Sequence, residues 1–129
     1  MSEHDSQAAF FRWAALQKIQ GLDSMHAIPN GGMRQLSVAR KLKAEGVKSG
    51  VPDVYWPMPH GAFTGLAIEF KHADAGPSKE QRTRITQLQH AGWCVCVCWD
   101  WQAAARTVLG YAGLMQLSIP MQSPLTDTP

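Results

Sequence analysis

Asp53, Glu69 and Lys71 are the residues of this chain whose types and spacing best suit chemistry. Asp53 follows Gly50-Val51-Pro52 and leads one short apolar segment; Glu69-Phe70-Lys71 closes the next, sixteen residues on. Alternate residues of a strand share a face, so Glu69 and Lys71 point the same way while Phe70 points into packing. A hairpin between the two segments would bring Asp53 beside Glu69. Carboxylates that close repel, and a bound divalent cation relieves the repulsion. Such a cation lowers the pKa of a bound water and stabilises charge on a phosphodiester under attack. Lys71 is suited to orient the water or neutralise the phosphate. By itself the spacing also fits a surface ion pair. The flanking Leu66, Ala67, Ile68 and Phe70 indicate instead an interior strand, where unpaired charge is costly.

The elements that must position these residues follow from periodicity and punctuation. Ser6 to Gln20 reads as a helix stopped by Gly21, with Phe11, Ala14, Ala15 and Ile19 at helical spacing. Met25 to Ile28 is a short strand ending in the turn Pro29-Asn30-Gly31-Gly32. Arg34 to Glu45 is a second helix, closed by Gly46. Asp53 to Trp56 and Leu66 to Lys71 are strands joined by a turn or hairpin loop, His60 to Gly65. Ser78 caps a helix from Lys79 to Ala91. Trp93 to Trp99 is a strand long enough to be central and buried on both faces. Asp100 caps a last helix, Trp101 to Tyr111, with the apolar stripe Trp101, Ala104, Ala105, Val108, Leu109 and Ala112. The order α-β-α-β-β-α-β-α implies the α/β class, a mixed sheet flanked by helices. A single domain over residues 1–115 and a loose, proline-bearing tail over 116–129 are expected.

With 129 residues, 45% hydrophobic and 17% charged, the chain is globular rather than disordered. No apolar run reaches the 18 residues of a membrane span, and Met1 to Asp5 lacks the basic and apolar regions of a signal peptide, so a cytoplasmic location is expected. A net charge of +2 does not announce a nucleic-acid partner, so any basic surface must be local. Cys94, Cys96 and Cys98 lie on one strand face, a spacing that favours packing over a disulfide framework or zinc.

Several further segments stand in order around the acidic pair: Pro29-Asn30-Gly31-Gly32-Met33-Arg34, Gly46-Val47 leading to Gly50-Val51-Pro52-Asp53, Ile68-Glu69-Phe70-Lys71, and Ser78 with Gln81. Together they closely resemble the VRR-NUC family of the PD-(D/E)XK nuclease superfamily, from about Glu3 to Ala112, and look most similar to its standalone phage and prophage members. The resemblance implies a restriction-endonuclease-like core and magnesium- or manganese-dependent cutting of DNA. Asp53, Glu69 and Lys71 match the active-site motif, and Phe70 would lend a backbone carbonyl to the metal. Gln81 matches the glutamine of the following helix; it shares a helical face with Ile85 and Leu88, which turns it toward the sheet. The family also places a glutamate of its first helix near the metal, and Glu3 is the best match. The alternative for Glu3 is a charge complementing the helix dipole.

Basic residues gather where DNA would need them: Arg34, Arg40, Lys41, Lys43 and Lys48 before the Asp53 strand, and Lys79, Arg82 and Arg84 on the helix after the motif. Phosphate contacts from these side chains would give salt-sensitive, mostly sequence-independent binding. The alternative is a solvated helix face. His72 adjoins Lys71 but would face the other side, as a structural or surface residue. The expected activity is metal-dependent endonuclease cleavage, selective by resemblance for branched, flapped or four-way-junction DNA. The expected assembly is a homodimer, with Trp56 and Trp99-Asp100-Trp101 as interface candidates. No membrane partner and no organic cofactor are expected. The rivals are a binding module that keeps the fold and has lost cleavage, a sequence-specific restriction enzyme, and a structural protein with a chance motif.

Overall fold

A computed structural model describes residues 1–29 and 35–113. The elements are α1 (Glu3–Ala15), a 3-10 turn (Leu22–Ser24), β1 (His26–Ala27), α2 (Leu36–Ala44), β2 (Val54–Trp56), β3 (Leu66–Phe70), α3 (Lys79–His90), β4 (Cys94–Cys98) and α4 (Trp101–Tyr111). Their order is the expected α-β-α-β-β-α-β-α. The expected tail and Arg34 lie outside the described residues. Among the described residues no helix is long and apolar enough to cross a membrane.

The strands form one mixed sheet in the order β1-β2-β3-β4. β1 and β2, and β2 and β3, pair antiparallel; β3 and β4 pair parallel, joined through α3 as the crossover helix. The sequence reading made β4 central. It stands instead at one edge of this sheet, yet all five of its residues are buried. Burial on both faces comes from helices above and below: α4 and α3 both contact it.

One face of the sheet carries the core. Val54, Trp56, Leu66, Ile68, Phe70, Cys94, Cys96 and Cys98 pack there against Phe10 and Ala14 of α1 and Ala104, Val108 and Tyr111 of α4. The pairs Leu66↔Cys94, Ile68↔Cys96 and Phe70↔Cys98 keep this face in register. The cysteine row is therefore a packing row. Burial pushes the Cys98 thiol up to about 11, and its neighbours and burial push Cys96 upward too, so both stay protonated and unreactive. Trp56 is only 1% exposed and belongs to this core, which removes it as an interface candidate; Trp99 is 39% exposed.

α1 differs from expectation at both ends. Ser2 caps it by accepting from the Asp5 amide at 3.0 Å, so the helix starts earlier, at Glu3. It stops at Ala15, because the chain must turn there to bury Leu22 and Met25. The Gln17 side chain donates to the Trp13 carbonyl at the frayed end, and the Trp56 indole donates to the Gly21 carbonyl at 2.8 Å. Among the described residues α2 runs from Leu36 to Ala44, with Gln35, expected inside the helix, as its N-cap and Glu45, expected as its last residue, as its C-cap, and it buries none of its side chains.

Candidate active site

Strand alternation leaves Ala67 and Glu69 on the face opposite the core, under α3. Val54 pairs with Ile68, so the next step of the antiparallel ladder sets Asp53 across from Glu69, as the hairpin reading requires. Asp53 Oδ2 also accepts from the Phe70 amide at 2.8 Å. That bond fixes the carboxylate at the carboxyl end of β3. Sequence reasoning gave Phe70 only a carbonyl role and missed its amide, because residue types do not announce a backbone donor.

Gly50 explains part of the Gly-Val-Pro-Asp lead-in. Its φ is +82°, and a Cβ there would sit 2.6 Å from the Glu80 carbonyl carbon. Only glycine lets the loop before β2 pass so close to the first turn of α3. The approach draws Asp53 and Gln81, carried by different elements, to the same end of the sheet.

Gln81 links the site. Its side-chain Nε2 donates to Glu69 Oε2 at 2.6 Å, and its Oε1 accepts from Lys71 Nζ at 3.1 Å and from the Ser78 amide at 2.8 Å. The Ser78 hydroxyl in turn accepts from the Gln81 amide, completing a capping box at the start of α3. Two donors on one side and a carboxylate on the other admit one orientation of the amide. Asp53, Glu69, Lys71 and Gln81 are thus brought together as the sequence reading placed them.

The electrostatics of the pair are unusual. Glu69 is 2% exposed, and its Oε1 is buried with no hydrogen-bond partner. Burial first, and then the Asp53 charge, push its carboxyl up to about 8 against the partial opposition of Lys71. Burial also raises Asp53, opposed by the Phe70 amide bond. A buried carboxylate oxygen without a donor, beside a second carboxylate, is a place that a divalent cation fits. Among the described residues no three His, Cys, Asp or Glu side chains converge as a ready cage, so ligands beyond the pair would come from backbone carbonyl and water.

Glu3 stands apart from that pair but close enough for its charge to raise both Asp53 and Glu69. Its Oε2 accepts from His72 Nδ1 at 2.6 Å. This contact spans 69 residues of sequence and left no periodic signal.

Arg40, Lys41, Lys43, Lys48, Lys79 and Arg82 are all exposed. Lys43, Lys48 and Arg84 line a shallow depression between α2, the loop after it and α3. Lys79 and Arg84 line an adjoining depression. Arg84 is anchored by its bonds to the Ser49 carbonyl and Gln87, and Arg82 by its bond to the Pro77 carbonyl.

No protein-family model matches the chain, and comparison with curated proteins gives no match. A solved structure described as a VRR_NUC domain protein is similar to it at 27% identity and a TM-score of 0.76, with 95% of this chain and 97% of that chain covered. In fold, over nearly its whole length, this chain is similar to a VRR_NUC domain protein, a likeness that supports a nuclease-like domain.

Proposed function

We propose that this protein is a magnesium- or manganese-dependent deoxyribonuclease that hydrolyses phosphodiester bonds, acting preferentially on branched, flapped or four-way-junction DNA. The observation that carries this reading is the buried, partnerless Glu69 Oε1 facing a site that also holds Asp53, Lys71 and Gln81. Asp53 and Glu69, with the Phe70 carbonyl, would hold the cation. When bound, the cation supplies positive charge at the scissile phosphate and lowers the pKa of a coordinated water.

The chain's own residues do the remaining work. The Phe70 amide fixes Asp53, and Gln81 fixes Glu69. Lys71, held by Gln81 Oε1, places an ammonium on the face of the carboxylates, where it orients a water or neutralises a phosphate oxygen. Lys43, Lys48, Lys79 and Arg84 offer phosphate contacts along the surface that leads from α2 to α3. A second copy of the chain, in a homodimer, would present a second site to the other strand.

The test is cleavage of labelled linear, flap and four-way-junction DNA with magnesium, manganese or chelator. Metal-dependent cutting that is faster on flap or junction than on linear duplex supports the reading. Binding of these DNAs without cleavage under any metal condition favours the silent binding module instead.

A further inference from the structure

His72 follows the catalytic lysine and belongs to none of the roles above. The chain turns sharply after it: Ala73 adopts φ +46°, and the Ala75 amide donates to the His72 carbonyl at 3.0 Å. A left-handed alanine is strained by about 1 kcal/mol or more, so the turn is held in place by what surrounds it. Trp99 does part of this, its indole donating to the Ala75 carbonyl at 2.8 Å. The turn directs the imidazole to the first residue of α1. There Nδ1 donates to Glu3 Oε2 at 2.6 Å, with the His72 side chain 59% and the Glu3 side chain 37% exposed.

An exposed ion pair by itself contributes little to stability, but this one has a second consequence. α1 is anchored two turns further on, where the Phe10 ring packs 5.7 Å from that of Phe70. The His72 contact ties down its free first turn and brings the Glu3 carboxylate to the residue after Lys71, two positions beyond Phe70, whose amide holds Asp53; its charge also raises both carboxyls of the pair. Magnesium retains several of its waters in protein sites. A carboxylate at the rim accepts hydrogen bonds from such waters without converging with the direct ligands. We propose that His72 is a positioning residue that holds the Glu3 carboxylate at the rim of the Asp53–Glu69 pair, where it strengthens divalent-cation binding. This rests on the metal-dependent reading of the site. The tether needs only a proton on Nδ1, so it does not depend on the charge of the imidazole.

The experiment is calorimetric titration of the full chain with manganese alone, without DNA. His72→Ala weakens manganese binding about tenfold, the usual order of loss for a partner that orients a residue around a metal site. His72→Asn, whose amide nitrogen falls near the position of Nδ1, restores most of it. Glu3→Gln shows a similar loss, and adding His72→Ala to it weakens binding no further. Melting curves in chelator confirm that each variant is folded. Equal manganese affinity for the intact chain and His72→Ala would overturn the His72 role alone, as would full additivity with Glu3→Gln. No manganese binding by the intact chain would overturn this role together with the metal-dependent reading.

Discussion

The Gln81 side chain donates to Glu69 at 2.6 Å while serving as the third residue of its own helix's capping box. One amide therefore starts α3 and orients a buried carboxylate beneath it. Its oxygen also holds Lys71. Helix initiation and site geometry are thus coupled through a single side chain.

That coupling separates two variants. Ser78→Ala removes the hydroxyl cap but leaves the amide bridge to Glu69 and Lys71. It lowers stability by about 1 kcal/mol and leaves the rate of DNA cleavage within a few-fold of the intact chain. Gln81→Ala lowers stability by a comparable amount and also slows cleavage by about a hundredfold, because Glu69 and Lys71 lose their common partner. Denaturant melts and single-turnover cleavage on both variants measure the difference.

The pH dependence of stability follows from the same carboxylates. Glu69 is raised from an ordinary value of 4.5 to about 8 by burial and by Asp53, and Asp53 is raised by burial. A raised acid binds its proton more tightly in the folded state. Between about pH 5 and pH 8 the folded chain therefore holds more protons than the unfolded one, and stability falls as pH rises through that window. Urea melts in chelator show this decline for the intact chain and a flatter profile for Glu69→Gln.

The sign for the metal is the opposite. A cation displaces the Glu69 proton, so manganese binding strengthens as pH rises toward about 8. At pH 7 binding releases close to one proton, readable from titrations in buffers of different ionisation enthalpy.

Gly50→Ala tests how the loop is set against α3. The φ of +82° and a Cβ 2.6 Å from the Glu80 backbone leave the added methyl nowhere to go. We expect a loss of about 1–3 kcal/mol in denaturant melts. Gly46→Ala is the control: it has a φ of +99° but no atom within 4 Å of the added carbon, so it bears backbone strain without the clash.

The basic surface has a salt signature. Lys43→Ala and Lys48→Ala each weaken binding of a four-way junction across sequences and reduce the slope of log affinity against log salt by about one. Binding measured over a range of salt concentrations checks this.

Much of this site was legible in the sequence because it depends on local rules. Strand alternation put Glu69 and Lys71 on one face, the two-strand hairpin put Asp53 opposite Glu69, and Ser78-x-x-Gln81 announced the start of α3. What escaped depended on tertiary approach. The Phe70 amide reaching Asp53 is a backbone donor that no residue type signals. The Glu3–His72 contact joins the two ends of the site across 69 residues. The length and apolar composition of Trp93 to Trp99 marked a strand buried on both faces, but they did not reveal that it stands at the edge of this sheet, with α3 and α4 packed against it. The early stop of α1 came from the need to bury Leu22 and Met25, a demand of the core rather than of the helix's own periodicity.

The most direct measurement of the central claim is single-turnover cleavage of a labelled four-way junction in magnesium by the intact chain, Asp53→Asn and Lys71→Ala. Asp53→Asn keeps the shape and an acceptor for the Phe70 amide while removing the charge. The account predicts cleavage by the intact chain that chelator abolishes. It predicts losses of about a hundredfold or more in both variants, with folding and DNA binding retained. Cleavage by either variant at the intact rate would contradict the assignment of this site, and no cleavage by the intact chain in any metal would contradict the activity itself.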